Sequence, residues 1–328
     1  MIIYDGNIYL KTNYIANDKL SLLADLQVRR IVYRASGTDN DQRQISINEN
    51  FTFFNPKVGA NYNIDENWTS YVFAGIGNRE PNRSDFIDQP PNTPKRDANQ
   101  QETMYNLEVG SEYKISAYSL SANFYYMYYI DQLVATGQLN DVGSPLRQNV
   151  ERSFRRGIEL QAGVKLSKKL TWNLTATLSE NKIEKYSELL YAYDENFSLD
   201  SIYAFELENT DIAFSPSIIA TSELSYKPTK DVEIALLTRY IGKQYLDNTQ
   251  FEGRSLDAYL VNDIRVQALI PQRMFKEVRV QLLINNVLNE EYSANGYTYS
   301  YVFGEKVTEN FVYPQALRNY MIGLNLKF

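Results

Sequence analysis

The sequence predicts an all-β fold: an antiparallel transmembrane β-barrel, with about thirteen strands in this chain. Three observations lead there. Apolar and polar residues alternate with period two in one segment after another, so each segment forms an extended strand with one greasy and one wet face. The connections are short and long by turns, whereas a soluble sandwich or propeller has no reason to keep every second loop short. No apolar run approaches the roughly 20 residues of a membrane helix; the densest patch, NFYYMYYIDQLV, is short and tyrosine-rich.

The expected strands follow in order. Segments 6–15 and 19–35 flank the tight turn ANDK. Segment 44–64 is interrupted by Pro56, which has no N–H for the ladder, so a bulge is expected there. Segment 67–79 follows the turn NIDEN. In 103–116, Tyr105, Leu107, Val109, Tyr113 and Ile115 oppose Asn106, Glu108, Gly110, Glu112 and Lys114. The turn KISAY leads into 118–135, and 147–166 then sets Ile158, Leu160, Ala162 and Val164 against Arg155, Gly157, Glu159 and Gln161. In 169–183, after LSKK, Trp172, Leu174, Ala176 and Leu178 oppose Thr171, Asn173, Thr175 and Thr177. Segments 212–227 and 231–245 flank KPTKD, and 255–270 and 276–287 flank PQRMFK. The last segment, 316–328, puts Tyr320, Ile322, Leu324, Leu326 and Phe328 on one face and Asn319, Met321, Gly323, Asn325 and Lys327 on the other. Between these tight turns lie the long connections 36–44, 80–102, 136–146, 184–211, 246–254 and 288–315.

Composition narrows function by exclusion. The 328 residues include no cysteine and no histidine. Disulfide scaffolds, Ser-His-Asp and Cys-His nucleophile systems and His-ligated zinc are therefore excluded, and an enzyme is not expected. Net charge is −7 and the pI near 5.0, which argues against a nucleic-acid partner. A mean hydropathy of −0.43 agrees with a barrel, because half of each strand faces a polar lumen. The acidic run YDENFSLD does not carry calcium-loop spacing, and Gly75 and Gly77 read as strand glycines rather than a dinucleotide loop, since no following helix is expected. No cofactor and no metal site is expected.

Strand parity points to a longer molecule. If the last strand ends in the periplasm, thirteen strands put the start of the first on the extracellular side, whereas complete bacterial barrels have an even number. Met1 leads directly into IIYDGNIYL without an export signal, so residues 1–328 are expected to be a single, N-terminally incomplete domain: the last thirteen strands of a 22-stranded barrel. With two open sheet edges, the isolated piece is expected to aggregate.

The stretches NREPNRSDF (78–86), DQLVATGQLNDVGSPLRQNV (131–150), SFRRGIEL (153–160), NNVLNEEYSANGY (285–297) and the terminal YMIGLNLKF resemble the C-terminal barrel of TonB-dependent outer-membrane receptors. The resemblance covers essentially the whole chain. It implies a 22-stranded barrel around an N-terminal plug that this chain does not contain. It further implies a Gram-negative outer-membrane location, energy from the TonB complex acting through the N-terminal region, and uptake of a scarce nutrient, an iron–siderophore complex foremost. A plug-less passive or structural barrel is the alternative. The resemblance also gives Tyr320, Ile322, Leu324, Leu326 and Phe328 a role as the signal read by the barrel-assembly machinery. The expected partners are thus outer-membrane lipid, a small-molecule ligand, TonB and that machinery.

Candidate ligand-binding residues are Arg79, Arg83, Asp85, Arg147 and Arg155, because clustered guanidinium groups bind anionic or chelate ligands bidentately. Structural ion pairing, including Arg155 with Glu159 and Glu108, is the favoured role for most of them. Arg156 falls on the lipid-facing register near an interface. The aromatic clusters at 186–205 and 297–303 either grip a ligand by stacking or pack the loops.

Overall fold

The computed structural model describes residues 2–38, 44–87, 100–140, 143–272 and 274–328. The loop DQPPNTPK (88–95) and most of 36–44 lie outside the described residues. The strands are β1 (Ile2–Ile15), β2 (Leu20–Thr38), β3 (Gln44–Phe54), β4 (Lys57–Asn63), β5 (Trp68–Arg79), β6 (Glu102–Lys114), β7 (Tyr118–Leu139), β8 (Pro145–Lys165), β9 (Leu170–Tyr193) and β10 (Leu199–Asp211). They continue as β11 (Ile218–Thr229), β12 (Val232–Ile241), β13 (Gln244–Tyr245), β14 (Ser255–Leu256), β15 (Tyr259–Leu269), β16 (Glu277–Asn285), β17 (Ser293–Phe303), β18 (Glu305–Pro314) and β19 (Asn319–Lys327). One short helix, α1 (Arg83–Ile87), lies between β5 and β6.

Seventeen of these strands form one sheet, and β13 and β14 pair separately. Its spine is an antiparallel meander of neighbours in sequence. β3 and β4 pair in succession along β2, the break falling at Asn55 and Pro56 as the proline requires. β9 carries β11 along its lower half and β10 along its upper half. Counted as membrane passes, with β3 and β4 as one, the meander has the thirteen strands expected. β1 pairs only with β2 and β19 only with β16 among the described residues, so both outer strands keep a free edge.

The register confirms which face is which. Leu107, Val109, Phe124, Ile158, Leu160, Leu178, Leu236 and Leu324 are all exposed, on a continuous apolar surface crossing one strand after another. Outward-facing indoles are anchored near the tight-turn end: Trp68 Nε1 donates to Ser111 Oγ at 2.6 Å and Trp172 Nε1 to Ser222 Oγ at 2.8 Å. The opposite face is a polar wall. Tyr71 donates to Asn123 Oδ1 at 3.0 Å and Asn123 Nδ2 to Glu159 Oε2 at 3.2 Å. That reach across β6 passes over Gly110, where any Cβ would overlap the Tyr71 ring. On the same face Arg29 pairs with Asp5 at 2.7 Å and Glu80 at 3.2 Å, and Arg265 with Glu223 at 2.5 Å.

Three expectations change. The long connections 184–211 and 288–315 are largely ordered hairpins, β9–β10 and β17–β18. Connection 136–146 is mostly strand, because β7 and β8 run on to Leu139 and from Pro145. A helix does follow Gly75 and Gly77, though only the single turn α1. Its Asn82 Oδ1 accepts the Asp85 N–H at 3.1 Å while Asp85 Oδ2 accepts the Asn82 N–H at 2.8 Å, a reciprocal cap that the spacing N-x-x-D encodes.

Candidate ligand-binding site at the rim

At the end of the sheet with the long connections, the strands continue past the apolar belt and fold over one another. Val134 of β7, Val150 of β8, Ile183 and Tyr186 of β9 and Ile212 after β10 pack as a buried cluster. Phe86 of α1 packs on Ile31, Phe51 and Phe53. This rim has an interior of its own.

The largest fully buried side chain among the described residues is Arg254, 1% exposed, just before β14. Arg254 Nη1 donates to Glu188 Oε1 at 2.6 Å and to Asp247 Oδ2 at 2.6 Å. Burial works against the Arg254 charge, and the two carboxylates outweigh it. Next to it Asn248 accepts the Ala213 N–H at 2.8 Å and donates to the Ala135 carbonyl at 2.7 Å, tying the loop after β13 to β7 and to the end of β10. Burial, reinforced by Asp247, pushes the Tyr186 phenol above its usual range, so it stays protonated. Gly137 permits the close approach: its φ is +88°, and a Cβ there would lie 2.6 Å from the Leu246 carbonyl.

Beside this knot opens a pocket of about 550 Å³. Gly137 and Leu139 of β7, Arg147 of β8, Phe214, Gln244 of β13, and Asn295, Tyr297 and Tyr313 of the β17–β18 hairpin line it. Tyr297 stacks on Phe311 at 4.8 Å between centroids, with Tyr313 at 6.0 Å and Tyr299 at 5.7 Å. Tyr299 in turn donates to the Leu139 carbonyl at 3.2 Å, so the hairpin is fixed to β7. The wall therefore offers flat ring faces, amides and one guanidinium. Chemically, such a set suits planar groups and a modest negative charge.

The five predicted residues do not converge on one place. Arg147 lines the pocket and pairs with Asp85 of α1 at 3.5 Å, so two of them meet. Arg79 pairs with Glu102 at 3.1 Å instead, and Arg83 opens α1. Arg155 donates to Asn181 Oδ1 at 3.2 Å and Ser215 Oγ at 2.9 Å on the inner wall, rather than pairing with Glu159 or Glu108. Arg156 faces outward, paired with Glu180. Phe214, Gln244, Asn295, Tyr313 and Arg254 are not among those candidates: Phe214 and Gln244 fall at the ends of the expected strands 212–227 and 231–245, and the others in the long connections 246–254 and 288–315. In the cluster at 297–303, Tyr297 lines the pocket, while Tyr301 packs on Tyr193 and Phe303 on Phe197.

The fold has solved counterparts. Copper transporter OprC superposes with a TM-score of 0.74 at 15% identity, over 99% of this chain and 48% of that one. The ferric yersiniabactin uptake receptor FyuA from Yersinia pestis gives 0.72 at 15%, over 99% and 46%. The ferric-catecholate import receptor Fiu from E. coli K12 gives 0.67 at 15%, over 98% and 44%. The chain thus spans less than half the length of each. No curated protein sequence matches it. The family model described as TonB dependent receptor-like, beta-barrel matches residues 4–287. An inward-polar, outward-apolar meander and a match over most of its length make one statement: the chain belongs to the TonB-dependent receptor β-barrel family.

Proposed function

We propose that this chain is the C-terminal part of a Gram-negative outer-membrane receptor that takes up a scarce nutrient, an iron–siderophore complex foremost, and holds it in the rim pocket. The pocket of about 550 Å³, with Arg147 and the Tyr297 and Tyr313 rings in its wall, is the observation that carries this reading. The structural relatives support it, being receptors for ferric yersiniabactin and ferric catecholates and a copper transporter. An organic complex fits better than a bare ion: the chain has no histidine and no cysteine, and no cluster of three acidic side chains suited to a metal occurs among the described residues. Energy would come from the TonB complex through an N-terminal region. The outward face would lie in outer-membrane lipid, and Tyr320, Ile322, Leu324, Leu326 and Phe328 would serve as the assembly signal.

Binding of ferric siderophores to the intact receptor, followed by quenching of its intrinsic fluorescence, tests the site. Tyr297→Ala and Arg147→Ala are each expected to weaken the best-bound complex about tenfold. Unchanged Kd in both variants removes the pocket from the mechanism, and uptake that survives a protonophore removes the energised transport step.

A further inference from the structure

Most outward-facing charges near the upper edge of the apolar belt are neutralised in place. Arg156 pairs with Glu180 and lies 5.1 Å from the Phe154 ring, and Lys182 pairs with Asp211 at 2.7 Å. On β2 the pattern differs. Outward-facing Leu22, Ala24, Leu26 and Val28 are followed by Arg30 and Arg34, both exposed. Their neighbours across the ladders are Gly6 and Ile2 on β1 and Thr52 and Asn48 on β3, with Asn50 between. No carboxylate stands on the outward register of β1, β2 or β3 among the described residues. A Cβ added at Gly6 would meet nothing within 4 Å, so the space beside Arg30 is open.

The stretch from Leu20 to Val28 has the length of a tilted strand crossing most of an apolar band about 25 Å tall. Arg30 therefore stands where lipid tails give way to headgroups, and Arg34 about 13 Å further along the strand. Two guanidinium groups with no carboxylate beside them among the described residues, flanked on the β3 side by amide and hydroxyl groups, form a poor surface for a tail. They form a good one for phosphate, which guanidinium binds bidentately while the amides donate to the remaining oxygens.

We propose that Arg30 and Arg34, with Thr52, Asn50 and Asn48, form a site on the lipid-facing wall for the phosphate of a membrane lipid headgroup. The occupant is a lipid rather than free phosphate because the site lies directly above the apolar strip of Val28, Ile8 and Phe54, all exposed, which accepts the tails of the same molecule. The inference rests on the membrane reading of the sheet.

The test uses the intact receptor in a neutral detergent, with phosphatidic acid as probe and bound lipid counted by native mass spectrometry. Either single change, Arg30→Gln or Arg34→Gln, is expected to weaken phosphatidic acid binding about fivefold, and the pair about thirtyfold. Phosphatidylcholine should bind equally to all forms, and inorganic phosphate at the same concentration should not compete. Unchanged phosphatidic acid affinity in the double variant overturns the site. Competition by inorganic phosphate overturns the lipid assignment. Arg156→Gln, at a charge already paired, should leave binding unaltered, and a loss there equal to the double variant would also overturn the proposal. A receptor that does not insert into lipid vesicles at all fails the membrane reading instead, which insertion of the unmodified protein reports separately.

Discussion

The spanning wall and the rim are made from the same strands, yet they are built inside out relative to each other. In the wall, Leu107, Leu160 and Leu324 point away from the protein and Asn123, Glu159 and Arg265 point inward. In the rim, Val134, Ile183 and Tyr186 point into protein and are buried. A strand in lipid needs no protein core, because the bilayer supplies the apolar phase and the lumen the wet one. Above the belt, water lies on both sides. There β7, β8 and β9 must cover one another, and they do so around Arg254.

The comparison predicts that the two regions fail differently. Arg254→Ala leaves Asp247 buried without its cation and Glu188 with only Lys306, 3.5 Å away, so it should cost about 3 kcal/mol in the rim. Hydrogen exchange should show protection lost at 244–256 and β17–β18, with the wall unaffected. Equal loss in the wall would break the distinction.

Leu160→Arg places a charge on the lipid face of β8. It should destabilise the folded barrel by about 2–4 kcal/mol in vesicles, measured by denaturant unfolding. Little effect there would mean that this face is not in lipid.

Arg156→Gln removes half of an exposed pair, 52% and 44% accessible, and should cost under about 1 kcal/mol. A larger loss would mean that lipid desolvates the pair.

The smallest effect is electrostatic. Hydrogen bonds from Lys243, then from Tyr245, hold the Glu252 carboxyl below its ordinary value of 4.5. A carboxyl lowered by folding contributes stability that is present above its unfolded pKa and lost as pH falls through the folded one. The loop at 252–254 should therefore loosen only in acid, below about pH 4.5, and Glu252→Gln should abolish that pH dependence. Fluorescence of a probe on the loop measures it, and loosening between pH 6 and 8 would contradict it.

A last measurement concerns the edges. Expressed alone, the chain presents β1 and β19 with unpaired ladders and is expected to aggregate in aqueous buffer. Light scattering that reports a folded monomer would contradict that.

The wall was legible because its signal is local and redundant: a residue's parity decides its solvent, and each strand repeats the test. Even the break at Pro56 followed from one missing N–H. The rim was not legible. In β17 small polar Thr298 and Ser300 take the buried face and Tyr297, Tyr299 and Tyr301 the other, so its alternation does not follow the apolar-against-polar rule that the wall obeys. The pocket draws Arg147, Gln244 and Tyr297 from segments up to 150 residues apart.

By itself, then, the sequence determined which face of each strand is apolar and which is polar, because a strand turns successive side chains to opposite faces. Only the tertiary structure decided that Arg147 faces the pocket while Arg155 serves the wall, and that Arg254 gathers two carboxylates. Those pairings depend on which loops come to rest against each other, and no period in the chain encodes a distance between loops.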